Sequence, residues 1–203
     1  MAYILAVAAG YLLGCSNLAF YIAKWKKVDL RAGGSGNLGA SNATVLMGWR
    51  AGILVALHDI AKAALAVFLA QVLFHGRPYI GAVAGIASVM GHIFPFYLKF
   101  KGGKGFASYF GMTLALNWKL ALAIMVLVFL ATVITDYIVV GTTLTVVTVP
   151  AYLGIGQHSL LLAMILCIGT LVIIYKHRMN YVRICKGTEI GLRSAMKGKH
   201  RVK

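Results

Sequence analysis

Long apolar stretches separated by short polar ones run the length of the 203-residue chain. A membrane-spanning helix needs about 17–25 mostly apolar residues. Residues 2–23, 51–74 and 79–98 each supply such a run, the second ending at the turn-like HGRP of residues 75–78. From 106 to 175 the chain is apolar almost throughout, broken at Asn117-Trp118-Lys119, at Thr135-Asp136-Tyr137 and around residues 154–159. Three breaks make four segments, so the pattern predicts seven helices. The segment at 106–116 is short for a crossing and needs tilt, borrowed flanking residues or a thinned bilayer.

Charge gives these segments a direction. Twenty Lys and Arg face four carboxylates, Asp29, Asp59, Asp136 and Glu189. Membrane proteins concentrate Lys and Arg in cytoplasmic loops. If residues 24–31, 99–104 and 176–203 are all cytoplasmic, an even number of spans must separate each pair. Seven spans satisfy this with two and then four; 17 of the 20 cations, Arg50 included, then lie at or near the inner face, and only Lys62, Arg77 and Lys119 fall elsewhere. The expected fold is therefore all-α: a polytopic membrane protein of seven transmembrane helices, N-terminus outside and C-terminus cytoplasmic. It forms one membrane-embedded domain over 1–203, with 193–203 as a basic cytoplasmic tail. Lys24, Lys26 and Lys27 follow the first apolar run instead of preceding it, so that run reads as a retained span and not as a cleaved signal peptide. A net charge of +16 also suits nucleic-acid binding, but a 61% hydrophobic chain directs its cations to anionic headgroups. Nucleic acid is not an expected partner.

The polar interruptions carry the candidate chemistry. Residues 33–42 read GGSGNLGASN, 101–105 read KGGKG, and 177–189 read HRMNYVRICKGTE. Glycine leaves backbone N–H groups open to an anion, and Ser35, Asn37 and Asn42 offer hydrogen bonds beside Arg31. Taken alone, this loop also reads as an interhelical turn. Lys101, Gly102, Gly103, Lys104 and Gly105 resemble a phosphate-gripping loop that opens a helix, although no Ser or Thr follows Lys104 as a Walker A loop requires. A basic interfacial loop would explain the lysines but not the interleaved glycines. His177, Asn180 and Arg183 share a helix face by spacing, and Glu189 is placed to anchor a nearby arginine. Asp59 and Lys62 are three residues apart within the second span, where ionisable groups are costly; they can pair on one face. His92 precedes the second island and braces it.

Absences narrow the chemistry. No paired-carboxylate cluster suits a metal, Cys15, Cys167 and Cys185 lack CxxC spacing, and no metal or cofactor is expected. There is no GxSxG elbow and no histidine with an aspartate five positions on. A transporter or channel for an organic phosphate remains the rival reading, and it would place polar groups along a midplane path.

As a set, GSGNLGASN, GHIFPFYLKFKGGKGFAS and HRMNYVRICKGTE resemble the three cytoplasmic motifs of bacterial acyl-phosphate-dependent glycerol-3-phosphate acyltransferases, in order and spacing. Departures are mild: Ser41 and Ser108 stand where many relatives have Thr, and Ala63 where glycine follows the motif lysine. The resemblance implies a multi-pass (inner) membrane enzyme of phospholipid biosynthesis with its active site at the cytoplasmic face. Its substrates would be acyl phosphate and glycerol 3-phosphate, and its products lysophosphatidic acid and inorganic phosphate. It implies catalytic roles for His177, Asn180, Lys104 and Ser35. Arg31, Gly34, Gly36, Asn37, Gly39, Asn42, Lys101, Gly102, Gly103, Gly105 and Arg183 would bind substrate. Glu189, Asp59, Lys62 and His92 would support the site.

Overall fold

A computed structural model describes residues 1–196; the remainder of the expected basic tail lies outside the described residues. Among the described residues every regular element is helical. Six stretches are long and apolar enough to cross a membrane: Ala2–Trp25, Trp49–Leu73, Ile80–Leu98, Trp118–Thr135, Ile138–Gly156 and Leu160–Cys185. The other expected segment is an 11-residue helix, Phe106–Leu116. At 1.5 Å per residue it is about 16 Å long, against a hydrocarbon core about 30 Å thick. The described residues divide into two compact units, 1–116 and 117–196.

The first unit holds α1 (Ala2–Cys15), α2 (Leu18–Lys26), α3 (Ala40–Met47), α4 (Trp49–Leu73), α5 (Ile80–Ile93), a 3-10 turn at Phe96–Leu98 and α6 (Phe106–Leu116). α4 packs against α1, α3, α5 and α6, and α1 packs against α5. The α1–α5 contact is backbone to backbone: side chains at Gly14 and Gly91 would overlap the carbonyls of Ser88 and Tyr11. Small residues of this kind let transmembrane helices approach closely. Large apolar side chains such as Ile4, Leu12 and Phe68 point outward, as helix surfaces bathed in lipid tails do.

The first span is not one helix. It breaks at Ser16, and Asn17 caps α2 by accepting the Phe20 N–H, 2.8 Å. In hydrocarbon a broken helix persists only where its freed backbone groups find partners. Here the Cys15 carbonyl accepts the Tyr97 hydroxyl at 2.9 Å, and the Ser16 carbonyl accepts Lys62 Nζ at 2.6 Å. The Asn17 amide donates to the Leu38 carbonyl at 3.1 Å, tying the break to the first polar island.

The second unit comprises α7 (Trp118–Thr135), α8 (Ile138–Gly156), α9 (Leu160–Cys185) and the short α10 (Leu192–Met196). Asn117 and Ser159 cap α7 and α9 through their side chains. α8 packs against both α7 and α9. Thr142, Thr143 and Thr145 donate to carbonyls one turn back, while Thr170 on α9 reaches across to the Val146 carbonyl at 2.5 Å. α9 has 26 residues, about 39 Å at the helical rise, so it extends well past the expected apolar end at 175. The first half of the third polar island is helical for that reason.

Candidate functional site

Both islands of the first unit lead into helix N-termini, the 33–42 loop into α3 and KGGKG into α6. The first-turn N–H groups of a helix lack intrahelical partners and favour anions. Arg31 joins the two loops: its Nη2 donates to the carbonyls of Leu98 (3.2 Å) and Lys101 (3.1 Å). Asp29 holds the backbone there, accepting the N–H groups of Arg31 at 2.8 Å and Ala32 at 3.3 Å.

Within the first island, Asn42 is buried and its amide is taken up by the loop itself. Its Oδ1 accepts the Ser35 N–H at 2.8 Å, and its Nδ2 donates to the Leu30 carbonyl at 2.8 Å. Asn42, expected among the substrate-binding residues, spends both ends of its amide on the loop itself. The Ser35 side chain is exposed and Asn37 half-buried. Gly34 and Gly36 sit in this turn, and Gly39 caps α3 with its backbone.

The second island is held by its own backbone. The Gly102 and Gly103 N–H groups donate to the carbonyls of Ile93 (3.0 Å) and His92 (3.1 Å). Those two N–H groups are spent on fixing the loop. Lys104 and the opening turn of α6 follow directly, beside the positive-φ Gly105 (φ 94°). Lys104 is half-buried and Lys101 exposed.

Beneath this loop lies a buried polar cluster. Lys62 Nζ is 2.8 Å from Asp59 Oδ1, 2.9 Å from His92 Nδ1 and 2.6 Å from the Ser16 carbonyl. The Ser16 carbonyl takes a hydrogen bond from the ammonium, and Asp59 is its counter-charge. His92 Nδ1 also lies 3.2 Å from Asp59 Oδ1. The other ring nitrogen, Nε2, is the atom a Gly103 side chain would strike first. His58 joins the cluster through Ser16, Oγ to Nε2 at 3.0 Å. Its Nδ1 lies 3.5 Å from Asp59, too long for a hydrogen bond. Sequence reading found Asp59, Lys62 and His92 but missed His58 and Ser16. The only signal was a histidine beside the aspartate, because its partner is 42 residues away.

In the second unit His177 and Asn180 are buried on one face of α9, with Arg183 half-buried a turn further on. His177 Nδ1 donates to the Ile173 carbonyl at 2.8 Å. The neutral ring therefore carries its proton on Nδ1 and presents Nε2 as the basic nitrogen. Glu189 returns onto the helix and divides its carboxylate: Oε1 accepts Asn180 Nδ2 and Oε2 accepts Arg183 Nε, both at 2.5 Å. Arg178 is occupied elsewhere, stacked 4.1 Å over the Tyr175 ring and donating to its carbonyl. Tyr181 and Thr143 pair through their hydroxyls, fixing α9 to α8.

The family model described as glycerol-3-phosphate acyltransferase matches residues 4–187, which takes in the first two islands and most of the third. Glycerol-3-phosphate acyltransferase 1 of Oceanobacillus iheyensis is 37% identical over 210 residues, covering 98% of this chain and 99% of its own. The glycerol-3-phosphate acyltransferase of Prochlorococcus marinus is 37% identical over 191 residues, with 92% and 95% covered. Among solved structures, PlsY, an integral membrane glycerol 3-phosphate acyltransferase, resembles this chain in two forms. The glycerol 3-phosphate form has a TM-score of 0.88 at 30% identity, covering 95% of this chain and 96% of that one. The lysophosphatidic acid form has a TM-score of 0.83 at 29% identity, covering 97% and 100%.

Proposed function

This chain belongs to the glycerol-3-phosphate acyltransferase family, and on that premise we propose that it moves a fatty acyl group from an acyl phosphate to the 1-hydroxyl of sn-glycerol 3-phosphate. The products are lysophosphatidic acid and inorganic phosphate, the first step of phospholipid synthesis. The observation that carries this reading is the Arg31 link between two glycine-rich loops that each open a helix, the second carrying Lys101 and Lys104. Both substrates are anionic, and such a pair of loops offsets their mutual repulsion.

The geometry supports the following roles. Lys104 and the first turn of α6 hold one phosphate. Ser35, Asn37 and the charge of Arg31 serve the other phosphate or the glycerol hydroxyls. Gly102, Gly103, Asn42, His92, Lys62 and Asp59 keep these loops in shape. On α9, Asn180 and Arg183 are oriented by Glu189, and His177 Nε2 accepts a hydrogen bond from the attacking hydroxyl. An acyl phosphate is already activated, so the protein's share is orientation and charge stabilisation. The hydroxyl oxygen forms a bond to the acyl carbon, the bond from that carbon to the phosphate oxygen breaks, and phosphate leaves. The hydroxyl proton passes to His177 Nε2 or to a phosphate oxygen of the donor.

One experiment tests the activity and the base together. Purified protein should form lysophosphatidic acid from labelled glycerol 3-phosphate and palmitoyl phosphate. Removing a general base typically costs about 10²–10⁴-fold, so His177→Gln should lose activity on that scale. It should also lose the rise in rate with pH that accompanies deprotonation of the imidazole. Normal turnover in this variant would transfer the proton's destination to the donor phosphate. No product from the parent with either acyl phosphate or a thioester would sink the enzyme reading.

We further propose that α6 completes seven spans, with the N-terminus outside, the C-terminus in the cytoplasm and the loops that bind substrate at the cytoplasmic face of the cell membrane. After Cys15, Cys167 and Cys185 are replaced, single cysteines at positions 35 and 77 should label from opposite sides of sealed vesicles. Labelling from one side would refute the topology.

A further inference from the structure

Only four carboxylates stand against 20 Lys and Arg, and three have tasks beside the polar islands. Asp29 holds the Arg31 backbone, Asp59 pairs with Lys62, and Glu189 grips Asn180 and Arg183. The fourth, Asp136, lies at the turn between α7 and α8 with φ 71°. Sequence reading treats it only as the break between two apolar segments.

The structure gives it partners. Its backbone carbonyl accepts the Leu192 N–H at 2.8 Å, and its Oδ1 accepts the Arg193 N–H at 2.8 Å. Gly191 is buried against the same carboxylate, and a side chain there would overlap Oδ2. The Arg193 guanidinium closes the contact by donating to the Val133 carbonyl at 3.1 Å. That carbonyl belongs to the last turn of α7, where a cation is favoured by the helix dipole. The segment that follows α9 is thus fastened at two places. Thr188 N–H donates to the Arg183 carbonyl at 2.8 Å and Glu189 grips α9; Leu192 and Arg193 are held by Asp136. Between the Glu189 grip and buried Gly191 stands only Ile190, and two extended residues reach about 7 Å. There is little slack with which Glu189 can leave its partners while the second fastening holds.

We propose that Asp136 is a positioning residue for acyl transfer: by clasping residues 191–193 it keeps Glu189 on Asn180 and Arg183. The proposal rests on the reading in which Asn180 and Arg183 serve the reaction, and it gives Asp136 no contact with substrate. The clasp is needed because residues 186–188 and 190 are exposed, so few packing contacts hold this segment in place.

The test uses the full-length protein. Asp136→Ala should lower kcat/KM by about tenfold, short of the hundredfold that a misplacement of about 1 Å can cost. Asp136→Asn keeps an acceptor oxygen and should stay within about twofold of the parent. Gly191→Ala displaces the carboxylate from the other side and should match Asp136→Ala, which covers the case of a poorly folding aspartate variant. The decisive comparison is with Glu189→Gln. Adding Asp136→Ala to it should change kcat/KM by less than about twofold, because residues acting through one another are not additive. Amide exchange at Leu192 and Arg193 should quicken in Asp136→Ala while the buried stretch of α9 around Leu166 and Ile173 stays protected. Unchanged exchange at those amides would overturn the clasp, and additive losses in an active enzyme would overturn the positioning role alone. A parent protein without acyl transfer would overturn the functional reading, and this claim with it, whatever the exchange rates.

Discussion

Lys62→Met should lower the unfolding free energy by about 3–5 kcal/mol, the usual cost of removing one partner of a buried ion pair. Lys62 and Asp59 are only 6% and 2% exposed, so the orphaned carboxylate has no water to turn to. The loss extends beyond the pair. The Ser16 carbonyl, freed where the first span breaks, loses its donor, and His92 Nδ1 loses its contact with Lys62. Unfolding in detergent micelles gives the number, and a loss under about 1 kcal/mol would contradict a buried pair. Removing both charges, as Asp59→Asn with Lys62→Met, should recover much of the stability because no unpaired charge is left. It should not recover activity, because the His92 ring beneath KGGKG still lacks its anchor. Stability and activity are thereby separated in one pair of variants.

Gly103→Ala should leave the protein folded and nearly inactive. The added methyl meets the His92 ring, and the Lys62 contact prevents that ring from turning aside. The loop must move instead, and Lys104 moves with it. Overpacking of this kind costs about 1–3 kcal/mol of stability. A catalytic loop displaced by about 1 Å can cost about 100-fold in rate, so the expected loss of kcat/KM is of that order. Gly156→Ala is the control, since a side chain there meets nothing within 4 Å. It should turn over within about twofold of the parent. Equal losses in the two variants would mean that the His92 contact is irrelevant.

Features recorded locally in the chain were legible before the structure. Hydropathy located five of the six long spans within a few residues, the last helix running on to Cys185, and the i,i+3 spacing of Asp59 and Lys62 matches a 2.8 Å pair. What could not be seen depends on partners far away. The break at Ser16 lies in an apolar run and survives because Lys62 and Tyr97 cap it from 46 and 82 residues away. Glycines in KGGKG advertise open N–H groups, but composition does not tell that His92 and Ile93 claim two of them. Asn42 looked like a ligand because its neighbours are polar, yet it is buried under its own loop. Asp136 looked like punctuation because its contacts are with residues 192 and 193. The family itself was recognisable because three short motifs occur in a fixed order, a signal that hydropathy alone does not contain.

Acyl transfer between two phosphate-bearing molecules, with Lys104 holding one of the phosphates, is tested most directly by a doubly labelled reaction, with palmitoyl phosphate labelled in its phosphate and glycerol 3-phosphate labelled in its carbons. Inorganic phosphate and lysophosphatidic acid should appear one for one, and both should fall together in Lys104→Met. Phosphate release without labelled lipid, or lipid formation unaffected by loss of Lys104, would contradict it.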